Sequence, residues 1–363
     1  MQGFEFCCPT KIVCGAHALD KLPDEVADRG MKHPLVMTDA GLVKLGVAAK
    51  LTGVLDAADV PYEVFDQVPP DSSMDVVNEV ARLYAARGCD GFVAIGGGSV
   101  IDSAKGIGMG VATGRDPWEF ASTGTAPDQT LPVGTVLTLA ASGSETSNSC
   151  VLTNEETKEK RGITSQTNRP RISFLDPENT FTVSKFQTGC GIVDIMMHTL
   201  ERYLTPEGGE SDITDRIAEG LLIATRDAGR RAIANPNDYE ARATLMWAGS
   251  VSHNDYTGCG RKRLFPVHKL EHELSAFRDE IAHGAGLSVL FPAWAMYEMK
   301  NDIPRFAQLA NRVFGVEMDF ACPERTAREG LLTMKRFFEE IGMPVHLSQL
   351  GIKPADYDTL AEN

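Results

Sequence analysis

The stretch IGGGSVIDSAK, residues 95–105, joins an apolar run to a helical pattern through a turn of small residues. The turn consists of Gly96, Gly97, Gly98 and Ser99. Because glycine has no Cβ, this backbone can approach an anion closely, and the helix that follows points its first N–H groups at that anion. Ser99 is the expected N-cap, with Asp102 near the positive end of the helix. The turn suits a pyrophosphate, and a tight turn without a ligand is the alternative.

Outward from this turn, the first half of the chain alternates short β-rich runs with amphipathic helical stretches. The runs that predict strands are HPLVMTD (33–39), YEVFDQV (62–68), GFVAIGGG (91–98), LPVGTVLTLA (131–140) and LDPENTFTV (175–183). Between them, DVVNEVARLYAARG (75–88) carries apolar residues at helical spacing. This alternation predicts a parallel sheet covered by helices on both faces.

After about residue 186 helical spacing dominates and strand signals become sparse. We therefore predict an α/β dinucleotide-binding domain over residues 1–185 and an all-helical metal-binding domain over residues 186–363. A chain of 363 residues, 43% of them hydrophobic, can bury a substantial core and is long enough for two domains.

Charge and cysteine content narrow the classes of partner. The 35 basic and 50 acidic side chains give a net charge of −15, which disfavours nucleic acid and anionic membranes as partners. The eight cysteines form no CxxC pair, which predicts reduced thiols. The first residues, MQGFEFCCPTKIVCG, lack a basic leader and an apolar segment, and no run approaches the roughly 20 apolar residues that span a bilayer. We expect a cytoplasmic protein.

Two further features bear on a nucleotide. Asp39 closes the strand pattern PLVMTD, where its carboxylate can accept hydrogen bonds from a ribose diol and would repel a 2′-phosphate. This position favours NAD over NADP, and a turn or cap role is the alternative for an aspartate at a strand end. A second turn, TLAASGSETS (138–147), follows the next strand. It can line the crevice that open α/β sheets form at the carboxyl ends of their strands.

The helical half carries acidic and imidazole side chains at helical spacing. The i, i+4 pairs are Asp194 with His198 and His268 with His272, and His283 follows in IAHGAG. Residues four apart share one face of a helix, so each pair can present two donor atoms to one point. One carboxylate with two or three imidazoles suits Fe²⁺ or Zn²⁺ better than Mg²⁺ or Ca²⁺. A single histidine is ordinarily structural, and we interpret His253 in that way.

Together these motifs resemble the iron-containing, or group III, alcohol dehydrogenases, and within them the butanol dehydrogenase branch. The residues that carry the resemblance are GGGSVIDSAK, TLAASGSETS, GIVDIMMHTLE and HKLEHELSAFRDEIAHGAGLSVLFPAW. The resemblance implies a dehydroquinate synthase-like fold with the active site between the two domains. It also implies a metal-dependent, NAD(H)-linked enzyme of small primary alcohols and aldehydes, present as a homodimer or larger homo-oligomer.

The resemblance also assigns residues to the cofactor. The implied cofactor-binding residues are Asp39, Gly96, Gly97, Gly98, Ser99, Thr138, Leu139, Ser142 and Lys160. Lys160 would reach a phosphate or ribose, and Asp39 would bind the adenosine ribose. Relatives in this branch that use NADP tend to have glycine in place of Asp39, so the resemblance too favours NAD.

For the metal, the family pattern matches Asp194, His198, His268 and His283, and it places His272 beside the nicotinamide as the catalytic residue and candidate proton donor.

The sequence departs from the family pattern in three places. The interval from His272 to His283 is one residue longer than usual, which leaves open an exchange of roles between His268 and His272. Pro70 replaces an asparagine that contacts the cofactor in many relatives. The chain ends at LAEN, before the usual C-terminal helix, and we expect part of the helical domain to be uncovered.

Three other functions remain open. A polyol dehydrogenase acting on glycerol or propanediol would share the fold, as would a lyase related to dehydroquinate synthase. A non-catalytic nucleotide-binding protein is the alternative from another class. It would bind NADH tightly without a metal and without turning over an aldehyde.

Overall fold

The computed structural model describes residues 2–69, 72–205, 211–262 and 264–362. The chain divides into two compact units, Cys7–Thr182 and a unit formed by Met1–Phe6 with Val183–Asn363. No sequence signal predicted that the first six residues would group with the second half of the chain. Pro70, named above as a departure from the family, lies outside the described residues.

A parallel sheet organises the unit Cys7–Thr182. Its strands within the described residues are β1 (Lys11–Cys14), β2 (Leu35–Met37), β3 (Glu63–Phe65), β4 (Phe92–Gly96), β5 (Val133–Leu137), β6 (Ser149–Asn154), β7 (Glu159–Thr164) and β8 (Ile172–Leu175). Six of them pair in parallel in the order β1-β8-β5-β4-β2-β3. The remaining two, β6 and β7, form a separate antiparallel hairpin.

Helices cover both faces of the sheet. They are α1 (Leu22–Asp28), α2 (Ala40–Lys44), α3 (Val47–Ala57), α4 (Met74–Arg87), α5 (Gly98–Thr113) and α6 (Pro117–Thr123). Val93 and Ile95 of β4 belong to a buried cluster with side chains of α1 and α3. Phe92 points to the other face, because successive side chains of a strand alternate, and it stacks on Tyr84 of α4 at a ring distance of 4.8 Å. The predicted parallel α/β fold is confirmed.

The structure corrects three local predictions. The predicted extended piece 175–183 is wrong, because β8 ends at Leu175 and a short 3₁₀ turn occupies Pro177–Thr180, where proline offers no N–H to a strand partner. Ser99 is not the N-cap, since α5 begins at Gly98 with Gly97 in an extended cap conformation. Asp102 therefore lies beyond the first turn of α5. The strands β1, β6 and β7 were not predicted, and only the last residue of β8, Leu175, lay in a predicted run.

The second unit is helical. Its helices are α7 (Lys185–Tyr203), α8 (Asp212–Ala234), α9 (Tyr239–His253), α10 (Pro266–Phe277), α11 (His283–Glu298), α12 (Ile303–Phe314), α13 (Pro323–Glu340) and α14 (Tyr357–Glu362). Every residue of α7 from 188 to 203 is buried, with α8, α9 and α11 packed around it. A helix buried on all sides is normally apolar all round, so polar side chains on α7 need a reason.

Among the helices that the structure describes, none combines the length and apolar character that a membrane crossing requires.

Candidate functional site

Asp194 and His198 lie one turn apart on the buried helix α7. The two residues are only 4% and 5% exposed, so water does not solvate their side chains freely. The Nδ1 atom of His198 is 3.5 Å from Oδ1 of Asp194. The i, i+4 spacing in the sequence thus brings a carboxylate and an imidazole to one point inside the helical unit.

Two further helices bring imidazoles to the same carboxylate oxygen. The Nε2 atom of His268, on α10, lies 3.5 Å from Oδ1 of Asp194. The Nε2 atom of His283, the first residue of α11, lies 3.7 Å from it. One candidate ligand atom from each of Asp194, His268 and His283 lies within 4.8 Å of the others. Three helices therefore converge on one centre, which we call the histidine cluster: Asp194, His198, His268 and His283.

Glycines allow this convergence. A Cβ at Gly284 would overlap the backbone of Cys190 on α7, and a Cβ at Gly286 would lie 2.7 Å from atoms of the Glu271 side chain on α10. Larger residues would push α11 away from both helices. The HGAG sequence therefore sets the depth at which His283 enters the histidine cluster.

The donor atoms of the histidine cluster fit a divalent cation. Oδ1 of Asp194, Nδ1 of His198 and Nε2 of His268 are buried, and within the described residues they make no hydrogen bond. Buried polar atoms without a partner are costly, so a group that satisfies all three would stabilise the site. One carboxylate with up to three imidazoles is a donor set for Fe²⁺ or Zn²⁺.

Two buried glutamates, which the sequence analysis missed, form hydrogen bonds to Nδ1 of two of the histidines. Glu201 is hydrogen-bonded through Oε2 to Nδ1 of His268, and its Oε1 accepts from the backbone N of Val267 at 2.6 Å. Glu271 is hydrogen-bonded to Nδ1 of His283 in the same way. Each glutamate stands three residues after a histidine, at 198 and 268, and that spacing was the available signal. The contacts themselves cross between helices.

The electrostatics of the histidine cluster favour added positive charge. Burial lowers the pKa of His268, but the carboxylates of Glu201 and Asp194 outweigh it and raise the pKa to about 10. Burial, followed by the neighbouring His253 and His268, lowers the pKa of His198. The lowered pKa keeps His198 neutral, as a metal ligand must be, whereas His268 would release its Nε2 proton when a cation binds. The two carboxylates leave negative charge that a divalent cation would balance.

His272 and His253 lie beside the histidine cluster. The ring of His272 is 5.6 Å from that of His283, and its candidate ligand atoms group with Glu271 and His283 but not with Asp194. The structure thus gathers His268, and not His272, around Asp194. His253, interpreted above as structural, packs edge-on against His198 with 4.0 Å between ring centres.

In the α/β unit, the two small-residue turns lie against each other. The backbone N of Thr138 donates to the carbonyl of Gly96 at 3.1 Å. A Cβ at Gly98 would come within 2.6 Å of Oγ of Ser142, and one at Gly97 would lie 3.4 Å from Leu139. The strands β4 and β5, which end at these turns, are neighbours in the parallel sheet. Both turns therefore occupy the edge where open α/β sheets bind ligands.

The remaining predicted cofactor residues occupy different elements. Asp39 is the N-cap of α2, and its Oδ1 accepts from the backbone N of Leu42 at 2.9 Å. It follows β2, which pairs with β4, so Asp39 also stands at the carboxyl edge of the sheet. Lys160 lies on the separate hairpin, opposite Thr153.

Two family models of known proteins match this chain, one in each half. A family model described as iron-containing alcohol dehydrogenase matches residues 9–177. A second, described as the C-terminal part of the Fe-containing alcohol dehydrogenase family, matches residues 188–363.

Individual relatives are similar over nearly their full length. NADH-dependent butanol dehydrogenase A of Clostridium acetobutylicum is 34% identical over 100% of this chain and 92% of its own. The crystal structure of NADH-dependent butanol dehydrogenase A from Thermotoga maritima is 34% identical, with a TM-score of 0.95 over 100% of this chain and 90% of that chain. The NADPH-dependent aldehyde reductase YqhD of Escherichia coli is 30% identical over 97% of this chain and 90% of its own.

Proposed function

The chain belongs to the iron-containing alcohol dehydrogenase family, and we propose that it is a metal-dependent, NAD(H)-linked enzyme that interconverts small primary alcohols and aldehydes. The observation that carries this proposal is the histidine cluster, in which buried donor atoms of Asp194, His198 and His268 make no hydrogen bond within the described residues. The butanol dehydrogenase relatives support this substrate class over the polyols.

We propose that Asp194, His198, His268 and His283 hold one divalent cation, Fe²⁺ or Zn²⁺, and that the two small-residue turns hold the dinucleotide. When bound, the metal would supply Lewis acidity toward a carbonyl oxygen and the dinucleotide would supply the hydride. The residues of the chain have to orient these groups. Glu201 and Glu271 are hydrogen-bonded to Nδ1 of His268 and His283. These bonds orient each ring so that its Nε2 faces Asp194.

His272 is our candidate for the residue that exchanges a proton with the substrate oxygen. It is partly exposed, and its ring lies beside His283 without joining the group around Asp194. An imidazole titrates near neutral pH, which suits it for general acid and base chemistry. His272→Ala should keep its metal and lose about 100-fold or more in turnover. Loss of metal in this variant would instead make His272 a ligand.

The proposed function is tested by metal analysis of anaerobically purified protein combined with NADH oxidation assays on a panel of short aldehydes. We expect about one Fe²⁺ or Zn²⁺ per chain and turnover of aldehydes such as butanal. Asp194→Ala should lose both the metal and the activity. Faster oxidation of glycerol or propanediol would favour the polyol enzyme. NADH binding without metal or turnover would identify a non-catalytic nucleotide-binding protein.

We further propose that NAD(H) is preferred over NADP(H) because Asp39 stands at the carboxyl edge of the sheet, where its charge would oppose a 2′-phosphate. Asp39→Gly should raise the ratio of kcat/KM for NADPH to that for NADH by about tenfold or more, since it removes a like-charge repulsion. An unchanged ratio would contradict this assignment. The cap bond to Leu42 is lost in the same variant, so its thermal stability is measured alongside.

A homodimer or larger homo-oligomer is also proposed from the family relationship. The helical unit exposes apolar side chains that a partner subunit could cover, among them Phe4, Ile213 and Tyr256. Light scattering after size-exclusion chromatography measures the mass directly. A mass near 39 kDa, that of one chain, would contradict the oligomer.

A further inference from the structure

Two charged residues of α5, Asp102 and Lys105, lie just beyond the glycine turn and take no part in the chemistry proposed above. The Lys105 side chain is fully buried, and that of Asp102 is 14% exposed. A buried ammonium group is stable only where acceptors and a counter-charge surround it. The groups that surround Lys105 therefore have to be held in defined positions.

The ammonium group bonds to the segment that follows β5. Nζ of Lys105 donates at 2.7 Å to the carbonyl and the hydroxyl of Ser144 and, at the same distance, to the carbonyl of Ser149. The carbonyl of Ser147 lies 3.3 Å away. Three backbone carbonyls thus converge on one cation. Without that cation each of these carbonyls would lose a hydrogen-bond donor, so the segment would have to rearrange locally.

Asp102 completes the same connection from one helical turn earlier. Its Oδ1 accepts from the hydroxyl of Ser144 and lies 3.7 Å from Nζ of Lys105. Its Oδ2 accepts from the backbone N of Val151 at 2.9 Å. Burial lowers the pKa of Lys105 and raises the pKa of Asp102, so each charge depends on the other and on these hydrogen bonds.

The segment held by this pair contributes to the nucleotide site. Ser142, two residues before Ser144, lies so close to Gly98 that a Cβ there would come within 2.6 Å of its hydroxyl. Ser149 begins β6, the strand whose hairpin partner carries Lys160. Through its Nζ atom, Lys105 of α5 therefore holds together the second small-residue turn (138–147) and the start of the β6–β7 hairpin.

We propose that Lys105 and Asp102 are positioning residues of the nucleotide site, which fix the turn 138–147 and the hairpin base against the glycine turn. This inference rests on the proposed function, because it takes the two turns to be the cofactor site. An apolar pair would fill the same space at a lower desolvation cost. The charged pair instead dictates the path of the backbone through the carbonyls of Ser144 and Ser149.

Titration of the purified holoenzyme with NADH, followed by fluorescence, tests the inference in three variants. Lys105→Met keeps the apolar stem and removes the ammonium, and we expect the Kd and KM for NADH to rise about 100-fold. Ser144→Ala removes only the hydroxyl shared by the pair and should raise both about tenfold. Ser165→Ala, which removes a part-buried hydroxyl bonded to Pro127 in the same unit, should leave both unchanged.

A residue that only positions the nucleotide site should affect the Kd and KM for NADH but not kcat. At saturating NADH, kcat, the KM for the aldehyde and the metal content should stay within about twofold of wild type in Ser144→Ala. Folded Lys105→Met protein that binds NADH like wild type would overturn the inference. If that variant does not fold, an unchanged Kd in Ser144→Ala overturns it. Wild-type protein that binds no NADH would overturn the proposed function itself, and the inference with it.

Discussion

The orientation of the imidazoles in the histidine cluster depends on single carboxylates. A neutral imidazole offers Nε2 to a metal only when its hydrogen resides on Nδ1. Glu201 stands at Nδ1 of His268, and Glu271 stands at Nδ1 of His283. Both glutamates are buried, so water does not compete for these hydrogen bonds. The two side chains therefore select the tautomer that presents Nε2 to Asp194.

Replacing Glu201 with glutamine should weaken metal binding. One of the two acceptor oxygens becomes an NH₂ group, which only donates, so the side chain can no longer accept from both the backbone N of Val267 and Nδ1 of His268. We expect the affinity for Fe²⁺ or Zn²⁺ to fall about 10- to 100-fold. Competition with a chelator under anaerobic conditions measures this directly, without reference to activity.

Glu273→Gln is the matched control, since Glu273 is a partly exposed glutamate on the same helix as His268. Its metal affinity should equal that of the wild type. Equal chelator competition by Glu201→Gln and Glu273→Gln would show that the hydrogen bond to His268 does not contribute to metal binding.

At the scale of helices, the position of His283 depends on how closely α11 packs against α7. Gly284→Ala introduces a Cβ that overlaps the backbone of Cys190, and backbone atoms on a buried helix cannot move aside cheaply. We expect a loss of about 1–3 kcal/mol in the free energy of unfolding, together with weaker metal binding as His283 shifts. Thermal unfolding with and without bound metal measures both effects.

Gly220→Ala provides the comparison for this substitution. Gly220 is an exposed position inside α8, and a Cβ there meets nothing within 4 Å. Alanine has the higher helix propensity, so stability should stay the same or rise by up to about 1 kcal/mol. If Gly284→Ala behaved like Gly220→Ala, the close approach of α11 to α7 would not be required.

The strands that could be predicted are those with apolar runs ending in a turn signal, such as β4 and β5. β6 and β7 escaped prediction because polar and charged residues occupy much of both strands. The start of α5 was misplaced by two residues, since three consecutive glycines carry no side chain that marks the cap.

Spacing along one helix predicted that Asp194 and His198 could share a centre, and Nδ1 of His198 lies 3.5 Å from Oδ1 of Asp194. The second predicted pair divides, because His268 lies at Asp194 while His272 lies beside His283. Spacing could not show that Glu201 of α7 meets His268 of α10, or that Glu271 meets His283, because those contacts join different helices. The same holds for Lys105 and Ser149, which are 44 residues apart in sequence. Partners separated in sequence require the packed fold to be known.

The helical unit contains a buried charge network in addition to its apolar core. Asp215 of α8 accepts hydrogen bonds from Arg305 of α12 and from Arg261. Arg305 also donates to the backbone carbonyl of Tyr203, the last residue of α7, at 2.8 Å. This network joins three helices, so its loss should affect unfolding of the unit as a whole.

Asp215→Asn should destabilise the protein in a pH-dependent way. Burial raises the pKa of Asp215, but the guanidinium groups of Arg305 and Arg261 outweigh it and hold the pKa below its ordinary value of 3.8. A carboxyl group with a lowered folded-state pKa stabilises the fold above its unfolded pKa, and that contribution disappears as the pH falls through the folded-state pKa. Breaking a buried pair costs on the order of 3 kcal/mol. The variant should therefore be less stable by about that amount at pH 7 and approach wild type below about pH 4.

Denaturant unfolding of wild type and variant at a series of pH values measures the gap, and Asp227→Asn serves as the control. Asp227 lies on the same helix but is exposed, and its ion pair with Arg226 at 2.8 Å is a surface contact. Such pairs contribute about 0–1 kcal/mol, so this variant should remain near wild type at every pH. A gap for Asp215→Asn that does not change with pH would mean that its carboxylate charge is not what stabilises the three-helix connection.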